Sequence, residues 1–271
     1  SEAKACFGDS DVYIEKYIEK PKHIEIQLIA DKHGNVIHLF ERDCSFQRRN
    51  QKLIEEAPCH MLKDEIRQSM INDAIKACKY VGYDSVGTIE FLLDKSGKYY
   101  FMEMNTRIQV EHPISEMISG VDIVKQQIKV AGGQKLTLKQ EDIKQNGYAL
   151  ECRINAEDVE RNFAPSGGKI NFLHIPGGRG IRVDSAVYTG YEIPPFYDSM
   201  ILKLITFAPT RLECIKKMRV ALEELIIDGV KTNIEFHYLV LHNKTFIEGK
   251  YDTGFFEEFI KELEEQSGEL I

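Results

Sequence analysis

Paired cysteines, a surplus of basic charge and long apolar runs are all missing from these 271 residues, and each absence removes a class of protein. Lysine and arginine number 35 against 43 aspartates and glutamates, a formal net charge of −8. A nucleic-acid-binding surface is ordinarily basic, so no nucleic-acid partner is expected. No stretch approaches the ~20 apolar residues of a membrane-spanning helix, and no membrane partner is expected. The opening SEAKACFGDS does not read as a signal peptide. The six cysteines (6, 44, 59, 78, 152 and 214) lie far apart with no CxxC. That spacing suggests neither a zinc site nor a disulfide framework, and it suits a reducing compartment, hence the cytoplasm. Internal repeats and low-complexity segments are lacking too. What is present is the composition of an ordinary globular protein, long enough to bury a substantial core as one large domain or two small ones.

The most informative stretch is Val86 to His112, VGTIEFLLDKSGKYYFMEMNTRIQVEH. Ser96-Gly97 sits between two apolar runs rich in aromatic and β-branched residues, which predicts a hairpin about that dipeptide. Folding there pairs Lys95 with Lys98, Leu92 with Phe101 and Glu90 with Glu103. Two carboxylates would then face each other across strands, a destabilising arrangement unless a cation lies between them. Extended backbone from Glu103 would aim Glu103, Asn105, Arg107, Gln109 and Glu111 one way, and Met102, Met104, Ile108 and Val110 into a core. A solvated edge strand would show the same period. Glu90 and Glu103, however, share their face with Leu92 and Phe101, and a half-buried row of acids, amides and an arginine is the composition of a reaction site.

Elsewhere the pattern is of scaffold. Ser1 to Phe7 reads as the end of a helix, and Val12 to Ile18 alternates as a strand. His23–Ala30 and Val36–Glu41 form a hairpin around His33-Gly34-Asn35. ERDCSFQRRNQKLIEEAP (41–58) carries Arg42, Arg48, Arg49 and Lys52; it reads either as a solvated basic loop or as a segment that binds anions such as phosphates. Asp64 is predicted to cap a helix to about Val81, ended by Gly82. His112-Pro113 breaks the central strand, and a helix runs from about Asp122 to Ala131. Tyr148 to Asn155 alternates and puts Glu151, Arg153 and Asn155 on one face. The glycines of IPGGRGIR (175–182) make a turn, since no helix start follows to bind phosphate. Capping boxes at Thr210–Glu213 and Thr232–Glu235 open two more helices, the first reaching about Ile226, and Phe255 to Glu265 is an amphipathic third.

EMNTRIQVEHP (103–113) resembles the signature of biotin carboxylases, ATP-dependent enzymes that carboxylate protein-bound biotin. EKYIEKPKHIEIQ (15–27), ERDCSFQRRNQK (41–52), GTIEFL (87–92), ECRINAED (151–158), YDSMILKL (197–204) and ELIIDGVKTN (224–233) extend the likeness along essentially the whole chain. Other ATP-grasp ligases are similar in the two carboxylates and the asparagine, but not in the TRIQVEHP continuation. The resemblance implies an α+β fold, mainly antiparallel sheet flanked by helices. Residues 1–18 would be the last helix and strand of an ATP-grasp lid, 19–145 the C-terminal half of the ATP-grasp domain, and 146–271 the biotin carboxylase C-terminal region packed on the same sheet. The family's nucleotide-fold domain and most of the lid have no counterpart here, so a fragment is expected. The short tail EEQSGELI implies a separate subunit, most simply of acetyl-CoA carboxylase.

Roles carried over by the resemblance fall on named residues. Glu90 and Glu103, with Asn105, would hold Mg²⁺ or Mn²⁺, hard ions that suit oxygen ligands and phosphates. Glu15, Lys16, Ile18 and Leu92 would line the adenine end of ATP, and His23 and Gln47 its ribose and phosphates. Lys52, Arg107, Gln109 and Val110 match the bicarbonate site, Glu111 the general base, and Arg153 the group that steadies the biotin enolate. Asn50 and Gly254 stand where family members carry histidine, and are left out. The implied partners are bicarbonate, biotin on its carrier protein, carboxyltransferase subunits and a second copy of the chain, with Arg179 and Arg182 in the dimer-forming stretch.

Overall fold

The computed structural model describes residues 2–268. Its centre is one eight-stranded, wholly antiparallel sheet. In chain order the strands are β1 (Lys22–Ala30), β2 (Val36–Arg48), β3 (Gln51–Ala57), β4 (Ser85–Leu93), β5 (Tyr99–Asn105), β6 (Tyr148–Asn155), β7 (Ile181–Ser185) and β8 (Met200–Ala208), arranged spatially as β7-β8-β6-β3-β2-β1-β4-β5. The helices are α1 (Glu2–Phe7), α2 (Asp64–Tyr80), α3 (His112–Ser119), α4 (Ile123–Ala131), α5 (Arg211–Glu224), α6 (Ile234–His242), α7 (Lys244–Ile247) and α8 (Phe255–Gly268). This is the expected α+β class. Ser1, the first residue of the predicted opening helix, and Glu269–Ile271 of the tail lie outside the described residues.

Strand parity decides which side of the sheet carries chemistry. Along β1, Ile24, Ile26 and Leu28 pack with Met70, Ile71, Ala74 and Cys78 of α2. Alternate side chains point to opposite faces, so His23, Glu25 and Gln27 turn the other way, and they are buried as well. Ile29 and Val86 meet Ile123 and Val130 of α4, while Ile114 and Ile118 of α3 lie over Ala57, Ala149 and Ile205. A separate core joins Phe46, Leu53 and Ile54 of β2 and β3 to Phe236 of α6 and to Phe255 and Phe256 of α8. Burial of each such side chain stabilises by about 1.5–3 kcal/mol.

Several expectations are corrected. Residues 9–18 form no strand, and Ile14 is 99% exposed; alternation alone cannot hold a strand that has no neighbour to complete its hydrogen bonds. Residues 41–57 are no loop: β2 runs on to Arg48 and turns back into β3 through Arg49 and Asn50, whose φ of 50° and 63° suit a two-residue hairpin turn. Arg42 is completely buried. Lys63, not Asp64, is the N-cap of α2, and Asp64 instead pairs with Arg67; Gly82, at φ +63°, follows the helix as expected. The capping box of α5 forms on Thr210 and Glu213, but α6 starts from Asn233 with no cap from Thr232. Helix α3 has no counterpart among the predicted elements.

The β4–β5 hairpin differs from its expected register in two places. Leu93 pairs with Tyr99, leaving Lys95, Ser96 and Gly97 as a three-residue loop, with Gly97 left-handed at φ +86°. The Asp94 carboxylate accepts from the backbone of Ser96 and Lys98 and holds that loop closed. Leu92 therefore faces Tyr100, not Phe101. The register then slips between Glu90 and Phe91, with Met102 the extra residue, and Glu90 stands opposite Glu103 after all. The extended row also stops at Asn105: Arg107 to Glu111 form a turn into α3. Met102 is exposed rather than in the core, and Met104 and Ile108 are only partly buried.

Candidate active site

Four adjacent strands set one charged residue each in a line across the sheet: Arg42 on β2, Glu25 on β1, Glu90 on β4 and Glu103 on β5 are successive cross-strand partners. Three neighbouring acids would repel one another, and cations intervene. Arg42 Nε reaches Glu25 Oε1 at 2.5 Å, and Lys52 Nζ reaches Glu25 Oε2 at 2.5 Å, Glu111 Oε1 at 2.5 Å and Glu90 Oε1 at 3.1 Å. Burial by itself would raise the Glu25 carboxyl, yet the Arg42 and Lys52 charges bring it down to about 2. Glu90 is likewise held at about 2: burial opposes ionisation, but contacts from His23, Lys52 and Gln109 outweigh it. The Lys52 ammonium, despite its own burial, is raised by Glu25, Glu111 and Glu90 around it.

Glu90 is the hub of the polyphosphate candidates. Its Oε2 meets His23 Nε2 at 2.6 Å, and Oε1 accepts from Gln109 at 2.6 Å and Asn105 at 3.0 Å. The far nitrogen of His23 lies 2.6 Å from Gln47 Nε2, which is also hydrogen-bonded to the Cys44 carbonyl. Asn105 Nδ2 bridges to Glu103 Oε1 at 3.0 Å, so one amide touches both facing acids and they share a surface. The two carboxylates, on one face with only a neutral amide between them, suit a hard divalent ion; Asn105 would join them by turning inward its amide oxygen, which here accepts from Arg107 Nη2 at 3.1 Å.

Glu111 is the N-cap of α3, the residue where the turn becomes helix, and caps nothing with its side chain. Its carboxylate, 2% exposed, is divided between Lys52 on Oε1 and Arg153, whose Nη2 reaches Oε2 at 3.0 Å. Arg153 is gripped from behind by Glu55, at 2.6 Å from Nε. The carbonyl oxygen of Arg153 also accepts from Asn233 at 3.0 Å and lies 2.8 Å from His237 Nε2. Lys203 of β8 holds the Val110 carbonyl at 2.7 Å and so ties this turn to the second half of the chain. Arg107 is exposed at the cleft, and its guanidinium donates to the Ile108 carbonyl at 3.2 Å and to Asn105 Oδ1 at 3.1 Å.

These groups line a cleft of about 1020 Å³. Lys16, Ile18, His23, Gln47, Lys52, Glu90, Leu92, Glu103, Asn105, Arg107, Gln109, Val110, Glu111 and Arg153 all border it; Glu15, on the exposed unpaired segment, does not. Lys16 instead lies over Tyr100, donating to its hydroxyl at 2.9 Å. Sequence reasoning missed the layer beneath. Arg42 also donates to Gln27, Ser115, Thr88 and Gln109, and so fixes the bed on which Gln109 and Glu25 rest. The sequence carried no signal for it: His23, Glu25 and Gln27 alternate with three apolar residues, the same pattern that a half-buried strand with one wet face shows.

With the geometry in hand, three kinds of comparison agree. Residues 1–139 match the family described as "Carbamoyl-phosphate synthase L chain, ATP binding domain", and 151–258 match "Biotin carboxylase C-terminal domain". The chain is 56% identical over 95% of its length to biotin carboxylase 1 of Bacillus subtilis (strain 168), covering 58% of that protein. It is 54% identical over its full length to a pyruvate carboxylase subunit of Methanothermobacter thermautotrophicus, covering 55% of it. Among solved structures, the biotin carboxylase domain dimer of Hydrogenobacter thermophilus 2-oxoglutarate carboxylase, in complex with MgADP, ADP and bicarbonate, superposes with a TM-score of 0.91 at 55% identity, over 95% of this chain and 57% of that one. The chain thus spans a little over half the length of the relatives it matches. From its two matched segments and the sheet they share, the chain belongs to the biotin carboxylase family, with the antiparallel, ATP-grasp-like fold of that family.

Proposed function

We propose that this chain supplies the bicarbonate and biotin chemistry of an ATP-dependent biotin carboxylase. One observation carries the reading: Glu111 sits between Lys52 and Arg153, with Glu90 and Glu103 a short way along the same face. Bicarbonate would rest against Lys52, Arg107, Gln109 and the Val110 segment. Glu111 takes its proton as its oxygen attacks the γ-phosphorus of ATP, expelling ADP and giving carboxyphosphate, a reaction governed by positioning and charge neutralisation. Carboxyphosphate releases CO₂ and phosphate, the biotin ring N–H gives its proton to that phosphate, and the ring nitrogen then takes the CO₂. Arg153, permanently charged and planar, holds the ureido oxygen as negative charge develops. Mg²⁺ or Mn²⁺, held by Glu90, Glu103 and Asn105, would neutralise polyphosphate charge. His23 and Gln47 face the ribose and phosphates, while Lys16, Ile18 and Leu92 border the adenine end.

In the same proposal, residues 1–18 belong to a lid, 19–145 to the ATP-grasp half and 146–271 to the C-terminal region. Biotin arrives on a carrier protein, carboxyltransferase subunits consume the product, and two copies pair through the Arg179–Arg182 stretch, all in the cytoplasm. No described helix is long and apolar enough to cross a membrane. Acetyl-CoA, for fatty acid synthesis, is the proposed acyl acceptor. Comparable likeness to pyruvate and 2-oxoglutarate carboxylases, at 54% and 55% identity, supports the same half-reaction with another acceptor, as a propionyl-CoA or urea carboxylase would use it. In the protein as its gene encodes it, Glu111→Gln is expected to leave ATP binding nearly intact and to lower bicarbonate-dependent ATP hydrolysis by a factor of about 10² or more. Unchanged hydrolysis would remove Glu111 from the role.

The second reading is a binding and dimerising piece without turnover. The exposed, unpaired segment 9–18 favours it for the 271-residue chain alone, because an open cleft admits water to the phosphates. No biotin-dependent ATP hydrolysis is expected from that chain; robust turnover on free biotin would refute this second reading.

A further inference from the structure

Behind Arg153 lies a feature that the proposed steps leave idle. Glu55 on β3 and Glu151 on β6 are direct cross-strand partners, and both are fully buried. Direct partners project to the same side of a sheet. Glu55 spends Oε1 on Arg153, at 2.6 Å from Nε and 2.5 Å from Nη2. Its Oε2 and both oxygens of Glu151 meet no donor among the described residues. The charged groups that face the pair are Arg153 on β6, Lys52 on β3, Glu111 at the head of α3 and Lys203 on β8. None of them hydrogen-bonds the three bare oxygens. Two adjacent buried carboxylates cannot both stay ionised when only one of them holds a cation.

We propose that Glu55 and Glu151 share one proton across the β3–β6 ladder, and that Glu151, as the neutral donor to Glu55, is a positioning residue that keeps Glu55 ionised and Arg153 aimed at Glu111. The idea rests on the biotin carboxylase reading for its effect on turnover, but not for the proton itself. Burial pushes Glu55 up to about 7 against the pull of Arg153. Glu151 is driven well above the carboxylate range by burial and then by Glu55. Below neutrality the pair takes up a second proton, Glu55 loses its charge, and Arg153 loses the anchor on its Nε. Turnover should therefore carry an acid limb near neutrality that belongs to the pair rather than to either acid.

Two variants separate this from a packing role. Glu151→Gln keeps a donor beside Glu55, whereas Glu151→Met fills the space without one. Bicarbonate-dependent ATP hydrolysis of the whole protein is followed against pH. The Gln variant is expected to keep the limb near its original position. The Met variant should move it to higher pH by about one pH unit, because an unsatisfied Glu55 carboxylate ionises less readily, with kcat recovering on the alkaline side and KM for ATP unchanged. A limb that moves to lower pH in Glu151→Met would mean two charged acids, and no movement would mean mere packing; either overturns the proposal. Infrared difference spectra decide the proton without turnover. At a pH of about 8, where ordinary carboxyls are ionised, wild type should retain one protonated carboxyl band that Glu151→Gln lacks. Its absence from wild type refutes the shared proton even if the activity reading stands; its presence in a protein with no bicarbonate-dependent hydrolysis leaves the proton and sinks the proposed function.

Discussion

Lys52 is a buried counter-charge for three acids at the floor of the proposed site. It contacts Glu25, Glu90 and Glu111 and is 12% exposed. Lys52→Met would leave those carboxylates short of a counter-charge, and breaking a buried pair from one side costs about 3–5 kcal/mol. Arg107→Met removes an exposed side chain bonded only to its neighbours and should change stability by no more than about 0.5 kcal/mol. Urea unfolding of the two variants checks the contrast, and equal losses would contradict it. Acid supplies another test. Glu25 and Glu90 sit at about 2, below the ordinary 4.5. Their stabilisation is therefore complete above 4.5 and drains away as pH falls through 2, on the order of 3 kcal/mol for Glu25 alone. Glu55, raised to about 7, has the opposite sign: its contribution is present below 4.5 and disappears as pH rises through 7. Unfolding midpoints should accordingly fall steeply with acidification below about pH 4.5. Lys52, Glu111 and Arg153 were legible because they lie in strings shared with a family. Glu25, Arg42 and Glu55 escaped because their task is to hold other side chains, and partners across a sheet are far apart in sequence.

At the scale of elements, local chemistry was read well where it was self-contained. Thr210 and Glu213 cap α5 reciprocally, and Thr210→Ala should lower stability by about 1 kcal/mol. Thr232→Ala should do almost nothing, since Asn233 occupies the cap of α6 and spends its side chain on the backbone of Asn155 and Arg153. Thermal melts of both variants compare them directly. The acid hairpin was harder. Its turn is one residue longer than Ser96-Gly97 suggested, and the bulge at Met102 offsets that difference, so Glu90 and Glu103 face each other for a reason that periodicity did not contain. Bulges depend on the tertiary bend a strand must follow, which no local window records. The same limit hid α3, whose Ile114 and Ile118 are explained only by the floor of β3, β6 and β8 beneath them.

For the molecule as a whole, the two matched segments do not correspond to two bodies. β3 of the first hydrogen-bonds β6 of the second, and Phe46, Leu53 and Ile54 are buried among side chains of α6 and α8. Residues 1–139 expressed alone should therefore lack a cooperative unfolding transition, and so should 146–271, whereas the joined chain should melt as one unit. Calorimetry on the three polypeptides would show it, and an independent transition in either piece would argue otherwise. That sheet has a bearing on ancestry as well. A recombination event that spliced one lineage's first segment onto another's second would force unfamiliar halves to knit a common ladder, and Arg153 would meet a stranger's Glu111. Drift on either side of residue 146 is thus constrained by its counterpart, and the pair is expected to be inherited together.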